Sequence, residues 1–294
     1  MKITLLDGGM GQELVHRAGD NPTPLWSTHV MMERPGLVAD IHRDYFEAGA
    51  SIATSNSYAI HRDRLVNAGV EDQFPDLLAA AMAEANDAKR PGTRIAGSIG
   101  PLIASYRPDV HPAADVAIPL YTEVVGQIAD ACDLILCETV VSCDHARSIL
   151  TAAKQSGKPV WLAVSVDDTD GTRLRSGEPI TDVLPIAQDM ADALMINCSS
   201  PEAVSAGLAE IKDCGLPFGG YANGFVKISD GFLKANPTVD ALQARHDLTP
   251  DAYADYVMSW VEMGATIVGG CCEVGPAHIA EIASRLRAAG HEIV

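Results

Sequence analysis

The stretch Ile267-Val268-Gly269-Gly270-Cys271-Cys272 joins an apolar run to two glycines and two adjacent thiols. This order predicts a buried strand that delivers two cysteine side chains to a site, because the glycines let another backbone or a ligand approach closely. A second run of the same form, Leu194-Met195-Ile196-Asn197-Cys198, supplies a third cysteine. The fold is therefore expected to consist of short buried strands that end in chemically active residues.

Apolar, β-branched runs of strand length recur along the chain, and most precede a polar or glycine-rich break. Eight such runs occupy residues 3–6, 51–54, 94–97, 134–137, 160–164, 193–196, 217–220 and 266–268. Apolar residues at helical spacing occupy residues 37–48, 76–89, 117–131, 144–155, 180–191, 201–212, 249–263 and 275–286. A strand followed by a helix, repeated eight times, predicts a (β/α)8 TIM barrel, an α/β fold, as a single domain over residues 1–294.

An open, doubly wound sheet is the alternative fold. It is disfavoured because no Gly-x-Gly-x-x-Gly follows the first run and because eight strands close a barrel. Helix boundaries agree with the strand and helix assignment. Ser200 and Thr249, each followed by proline and an acid, are typical helix N-caps, and Gly49, Gly157 and Gly264 stand where helices should end.

Composition favours small-molecule chemistry. The 294 residues include 21 basic and 39 acidic side chains, for a net charge of −18, which argues against nucleic-acid binding and against docking on an anionic membrane. Met1 leads directly into the first strand pattern without a secretory signal, and no apolar run reaches the roughly 18 to 20 residues of a membrane span. We expect a cytoplasmic protein whose seven cysteines are reduced thiols.

In a barrel of this kind, active-site residues follow the C-terminal ends of the strands. We call this set the C-terminal rim, and its candidates are Asp7, Tyr58, Ser98, Glu138, Cys198, Asn223, Cys271 and Cys272. The three cysteines converge there and could hold Zn²⁺ with its fourth tetrahedral position open. They could also be buried as small apolar residues, or Cys271 and Cys272 could form a vicinal disulfide, because no Cys-x-x-Cys spacing is present.

An open position on zinc would accept a substrate thiol, because zinc depresses the pKa of a bound thiol. Three thiolate ligands neutralise much of the metal charge, so the site favours alkyl transfer to sulfur over hydrolysis. A zinc hydrolase and a non-enzymatic zinc or thiol redox sensor are the alternatives. The loops 106–114, 167–179 and 230–238 are expected to lie near the site.

Two rim carboxylates, Asp7 and Glu138, could bind the ammonium group of a thiol amino acid, although a helix cap or a salt bridge is the alternative for each. Backbone N–H groups of Ser98-Ile99-Gly100 could hold the substrate carboxylate. The remaining cysteines fall in or beside helices and strands and are expected to serve packing: Cys132, Cys137, Cys143 and Cys214.

Over nearly its whole length the chain resembles the homocysteine S-methyltransferase family of zinc-dependent barrels. The resemblance rests on Leu6-Asp7-Gly8-Gly9-Met10-Gly11, Ala96-Gly97-Ser98-Ile99-Gly100-Pro101, Glu138-Thr139, Ile196-Asn197-Cys198, Tyr221-Ala222-Asn223-Gly224 and Gly269-Gly270-Cys271-Cys272. It implies that Cys198, Cys271 and Cys272 bind Zn²⁺ together with the homocysteine sulfur. It also implies that Asp7 and Glu138 contact the homocysteine amino group.

The resemblance further implies that Tyr58 and Asn223 line the substrate pocket. A cationic methyl donor suits the aromatic faces of Trp26 and Tyr58 through cation–π attraction. No segment resembles the cobalamin- and folate-binding modules of large methionine synthases or the long C-terminal arm of betaine-using relatives, so S-methylmethionine or a similar sulfonium is the expected donor. Glu273 departs from the family pattern, because many relatives carry glycine there. The sequence gives no prediction of oligomeric state.

Overall fold

The computed structural model describes residues 1–19, 25–228 and 242–294. Within these residues, nine parallel strands form one sheet in the order β2-β3-β4-β5-β6-β7-β8-β1-β9. The strands are β1 (Lys2–Leu5), β2 (Ile52–Thr54), β3 (Arg94–Ile99), β4 (Leu134–Val140), β5 (Val160–Val164), β6 (Ala193–Asn197), β7 (Phe218–Tyr221), β8 (Ile267–Val268) and β9 (Glu292–Ile293). Each of the eight predicted runs coincides with one of the strands β1 to β8.

The first eight strands close into a barrel. Leu6, just after β1, bridges Ile52 at the start of β2 in parallel register. The Ser51 N–H donates to Leu5 O (2.7 Å) and the Asp7 N–H donates to Ile52 O (3.1 Å). This closure confirms the predicted (β/α)8 barrel, and the open-sheet alternative is wrong. The ninth strand pairs with β1 outside the ring.

Helices follow the strands around the barrel. They are α1 (Met10–Ala18), α2 (Trp26–Glu33), α3 (Leu37–Ala48), α4 (Arg62–Val66), α5 (Phe74–Ala88), α6 (Ala114–Ile128), α7 (Cys143–Ala153), α8 (Leu184–Met190), α9 (Pro201–Ile211), α10 (Pro250–Glu262) and α11 (Pro276–Ala288). The helical patterns predicted from the sequence correspond to α3 and α5 to α11. The sequence patterns did not predict α1, α2, α4 or β9, and of these α4 and β9 are too short to show a period.

One apolar layer lies inside the barrel and a second lies between the sheet and the helices, because successive residues of a strand point to opposite faces. Within β4, Leu134 and Leu136 lie inside the barrel, whereas Ile135 and Cys137 pack against the helices. The same alternation places Glu138 one step above Leu136. The rim therefore receives the residue that continues the interior face of the strand.

The predicted helix caps are present. Ser200 Oγ accepts from the Ala203 N–H and Thr249 Oγ1 accepts from the Ala252 N–H, both at 3.3 Å. Gly49, Gly157 and Gly264 follow their helices with positive φ, as a left-handed C-cap requires. After each of these three glycines, the chain reaches the next strand within a few residues.

No helix in the described part of the chain has both the length and the apolar character needed to cross a membrane. Of the loops expected near the site, 106–114 and 167–179 lie between strands and helices that follow them. The predicted loop 230–238 lies outside the described residues.

Candidate active site

Three cysteine side chains meet on the C-terminal rim. Cys198 directly follows β6, and Cys271 and Cys272 follow β8 after the Gly269-Gly270 pair. Their Sγ atoms all lie within 4.8 Å of one another. Among the described residues, this is the one group of three or more metal-ligating side chains that approach so closely. The structure thus brings together the three thiols that the sequence placed on one rim.

The segment after β7 holds the paired cysteines by backbone hydrogen bonds. The Cys271 N–H donates to Ala222 O (2.9 Å), and the Gly224 N–H donates to Cys272 O (2.8 Å). Gly270 is required for this path, because a Cβ there would lie 2.1 Å from Val274 Cγ1. The positions of the thiols are therefore fixed by main chain rather than by side-chain packing alone.

The Cys198 and Cys271 Sγ atoms are in contact, their Cα atoms are 5.9 Å apart, and Cys272 is a free thiol. This Cα separation allows either a metal ion shared by reduced thiols or a disulfide after oxidation. That all seven cysteines are reduced thiols stays a prediction. The other four cysteines are buried in the apolar layer beneath the helices, as predicted.

The donor set fits a soft divalent cation. Burial raises the pKa of the Cys272 thiol to about 12, so three thiolates can coexist here only with a compensating positive charge. Three clustered sulfur donors suit Zn²⁺ better than Mg²⁺ or Ca²⁺, which prefer oxygen. Reduced Cys198, Cys271 and Cys272 are therefore suited to hold zinc.

Glu138 lies inside the rim, buried and held from two sides. Its Oε1 accepts from the Ser98 hydroxyl, and its Oε2 accepts from Tyr221 OH at 3.0 Å. Burial raises the pKa of this carboxyl to about 7, although both hydrogen bonds lower it. The carboxylate is thus fixed in place but poorly compensated in charge.

Asp7 is the second buried carboxylate, and both of its oxygens accept from Thr54. The Thr54 N–H and hydroxyl each lie 2.7 Å from an Asp7 oxygen. Burial raises the pKa of Asp7 to about 8, and the nearby charge of Glu138 adds to this. The His42 imidazole, whose Nδ1 lies 3.9 Å away, is neutral because burial lowers its pKa to about 3.

No lysine or arginine of the described residues forms an ion pair with either carboxylate. A cation from outside the protein would therefore be stabilised between two fixed, desolvated acids. A substrate ammonium group has the required charge and donors. Asp7 and Glu138 therefore share one property, which is that no basic side chain of the described residues neutralises either carboxylate.

The backbone site expected for the substrate carboxylate is already occupied. The Ser98 N–H donates to Ser55 Oγ (3.1 Å), and the Gly100 N–H donates to Tyr58 O (3.2 Å). The expectation is therefore wrong for the Ser98 and Gly100 amides, because they complete the packing of β3 against the segment after β2. Ser98 belongs to the site through its hydroxyl, which orients Glu138.

Aromatic and amide side chains complete the rim. The Trp26 and Tyr58 rings make an edge-to-face contact with centroids 6.4 Å apart. The Tyr58 hydroxyl lies 2.8 Å from Ser105 Oγ. Asn223 is buried with its Oδ1 accepting from the Phe225 N–H, whereas its Nδ2 has no partner among the described residues. That amide can donate to a bound molecule.

One residue that supports the segment carrying Cys198 was not predicted from the sequence. Arg175 donates to Cys198 O (3.2 Å) and to Ser165 Oγ (2.8 Å), and it forms a buried ion pair with Asp168 (3.1 Å). Asp168 in turn accepts from the Ser200 N–H, so the pair fixes the segment that carries Cys198. The loop 167–179 was expected near the site, but a lone arginine within it gives no pattern.

The fold and the site define a (β/α)8 barrel enzyme with a three-thiol centre and two buried carboxylates. The family model described as homocysteine S-methyltransferase matches residues 4–286. The homocysteine S-methyltransferase of Escherichia coli (strain K12) is 30% identical over 96% of this chain and 95% of its own length. That of Bacillus subtilis, YbgG, is 27% identical over 97% and 95%. The chain belongs to the homocysteine S-methyltransferase family.

Solved structures agree with this assignment. The metallated form of the homocysteine methyltransferase MmuM from Escherichia coli superposes with a TM-score of 0.80 at 28% identity, covering 97% of this chain and 96% of that one. Its oxidized form gives a TM-score of 0.82 at 27% identity with the same coverage. The likeness extends over almost the whole chain.

Proposed function

We propose that this protein transfers a methyl group from a cationic donor to the sulfur of L-homocysteine, forming methionine. S-methylmethionine or a similar sulfonium is the preferred donor. The observation that carries the proposal is the convergence of three thiols beside two buried carboxylates that have no lysine or arginine partner within residues 1–19, 25–228 and 242–294. Reduced thiols at the centre fit a cytoplasmic setting.

The chain's own residues would bind and orient the acceptor. Asp7 and Glu138, once deprotonated, would accept hydrogen bonds from its ammonium group, and Ser98 and Tyr221 would hold Glu138 in place. Asn223 Nδ2, which has no partner in the part of the chain that the structure describes, would donate to an acceptor atom of the substrate. Zn²⁺ held by Cys198, Cys271 and Cys272 would lower the pKa of the substrate thiol and keep its sulfur nucleophilic.

The reaction itself exchanges one carbon–sulfur bond for another. The homocysteine sulfur gives up its proton and forms a bond to the donor methyl carbon, while the electron pair of the broken bond stays on the donor sulfur. The donor thus loses its positive charge and leaves as a neutral thioether. Trp26 and Tyr58 would stabilise the donor cation before transfer, because ring faces attract cations.

The experiment is a methyl-transfer assay on the reduced, zinc-loaded protein, with methionine measured by mass spectrometry. L-homocysteine is supplied with S-methylmethionine, S-adenosylmethionine, betaine or dimethylsulfoniopropionate in parallel. We expect methionine from a sulfonium donor, and Cys214→Ala, which changes a packing cysteine, serves as a matched control. Absence of methionine with every donor would contradict the proposal.

Two alternatives have distinct outcomes in the same assay. A zinc hydrolase would consume a donor without consuming homocysteine, but water-activating zinc usually has histidine or carboxylate ligands, and the clustered group here is three cysteines. A redox sensor would bind and lose zinc with oxidation of Cys198 and Cys271 but show no turnover. Either outcome would replace the methyltransferase proposal.

A further inference from the structure

The turn that carries the paired cysteines contains an unusual residue. The Val274 N–H donates to Cys271 O at 3.1 Å and closes the turn, with Glu273 as its third residue at φ 65°. Glycine is favoured at such a left-handed position, because a side chain there is strained. A glutamate in this conformation costs conformational free energy. The contacts of its side chain therefore show what Glu273 contributes to the structure.

The Glu273 carboxylate binds a buried glutamine from α1. Gln12 Nε2 donates to Glu273 Oε1 at 2.5 Å, and Gln12 Oε1 accepts from the Trp26 indole N–H at 3.0 Å. This amide orientation is the one that satisfies both neighbours, because a carboxylate only accepts and an indole only donates. His16 Nε2 also lies 3.7 Å from Glu273 Oε2.

The indole at the far end of these bonds is tightly seated. A Cβ at Gly11 would lie 2.3 Å from Trp26 Cζ2, so the ring covers that part of α1. Its other neighbour is Tyr58, in edge-to-face contact. Trp26 itself begins α2 with φ 48°, a second strained position. Two strained residues are therefore linked through one glutamine.

We propose that Glu273 is a positioning residue for the methyl donor. Through Gln12 it holds the Trp26 indole at the angle at which its face packs against a methylsulfonium or quaternary ammonium cation. This inference rests on the proposed function. We call the three residues the Glu273–Gln12–Trp26 chain, and it links the turn that carries Cys271 and Cys272 to the aromatic pair Trp26 and Tyr58, which is proposed to hold the donor.

Kinetic constants for the two substrates provide the first test. Glu273→Gly removes the carboxylate and should raise the donor KM about tenfold while leaving the homocysteine KM within about twofold. Gln12→Leu should do the same. Glu273→Gln keeps an oxygen that accepts from Gln12 and should restore the donor KM to within about threefold of wild type. A Glu273→Gln variant as impaired as Glu273→Gly would overturn the proposal, because charge alone would then explain the effect.

A double variant tests whether the residues act as one chain. Glu273→Gly combined with Gln12→Leu should raise the donor KM no further than either change alone, because both break the same connection. If the increases in donor KM of the two single variants multiply in the double variant, the proposal is overturned. Zinc content must stay at the wild-type value in all variants, and its loss would instead assign Glu273 to the support of the metal site.

Acrylamide quenching of tryptophan fluorescence separates this inference from the proposed function. Trp161 and Trp260 are buried, so the half-buried Trp26 dominates quenching, and Trp26→Phe gives the baseline. Glu273→Gly and Gln12→Leu should both increase quenching, and Glu273→Gln should not. The quenching measurement needs no turnover, so its result stands even if the methyl-transfer assay fails. Unchanged quenching in variants of an active enzyme would contradict only the proposed role of Glu273, not the proposed function.

Discussion

The two ends of the barrel differ in backbone strain. At the helix-to-strand end, the described residues with positive φ are all glycines: Gly49, Gly92, Gly157, Gly215, Gly264 and Gly290. The strand-to-helix connections also contain such glycines, Gly19, Gly36, Gly69 and Gly177, but they add six described residues other than glycine with positive φ: Trp26, Ile103, Tyr106, Thr139, Cys198 and Glu273. Glycine adopts this conformation at little cost, whereas the others are strained.

This difference separates stability from function. Turns closed by glycine return the chain to the next strand and cost little conformational strain. The strained residues of the rim include a thiol of the three-cysteine centre, the neighbour of Glu138, and both ends of the Glu273–Gln12–Trp26 chain. Changes at the rim are therefore expected to affect catalysis first, and changes at the opposite end to affect stability alone.

The largest effect should follow removal of a rim thiol. Cys198→Ala, Cys271→Ala and Cys272→Ala should each lower kcat/KM by about 1000-fold or more, because each removes one of the three proposed metal donors. Circular dichroism should show the barrel intact. Cys214→Ala changes a buried cysteine away from the rim and should keep its activity, and similar losses in all four variants would erase the distinction between rim and core.

A smaller effect is expected at the carboxylates. Glu138→Gln keeps the shape of the side chain but removes its charge, and it should raise the homocysteine KM roughly 30- to 100-fold, as expected for a buried charge-assisted hydrogen bond. The donor KM should change little. Glu262→Gln, an exposed change at the end of α10, is the control. An unchanged homocysteine KM would make Glu138 a structural residue.

The pH dependence of stability should also distinguish rim from core. Burial raises the Glu138 pKa from its ordinary 4.5 to about 7, so between these values the folded protein retains a proton that the unfolded chain has released. The free energy of unfolding must therefore fall as pH rises through this window. Urea unfolding of the reduced, zinc-free protein at pH 5 and pH 8 measures the fall.

Glu138→Gln should flatten this dependence by on the order of 2 to 3 kcal/mol relative to wild type. Asp7, with its pKa raised to about 8, contributes in the same direction and remains in the variant. Glu262→Gln should leave the slope as it is in wild type. A wild-type protein that becomes more stable between pH 5 and pH 8 would contradict the desolvated state of these carboxylates.

The smallest effect is expected at the opposite end of the barrel. Gly157 has φ 67° and open space around it, so Gly157→Ala should cost about 1 kcal/mol of stability through backbone strain alone. Both KM values and kcat should match wild type. Chemical denaturation and the methyl-transfer assay measure the two quantities, and a kinetic change would show that this end also supports the site.

The strands were predictable because buried parallel strands are nearly continuous apolar runs, and the residue after each run belongs to the rim by the geometry of the barrel. Asp7, Glu138 and the three cysteines were found in this way. The contact between Gln12 and Glu273 spans 261 positions and leaves no local pattern. The same holds for the contact of Arg175 with Cys198.

The most direct test of the three-thiol centre is the zinc content of the purified, fully reduced protein, measured by mass spectrometry of the metal. One zinc per chain is expected, because three reduced thiols on the rim offer a single site for a soft divalent cation. Protein that holds no zinc after reduction and incubation with Zn²⁺ would contradict the account, and Cys198, Cys271 and Cys272 would then serve packing or redox chemistry.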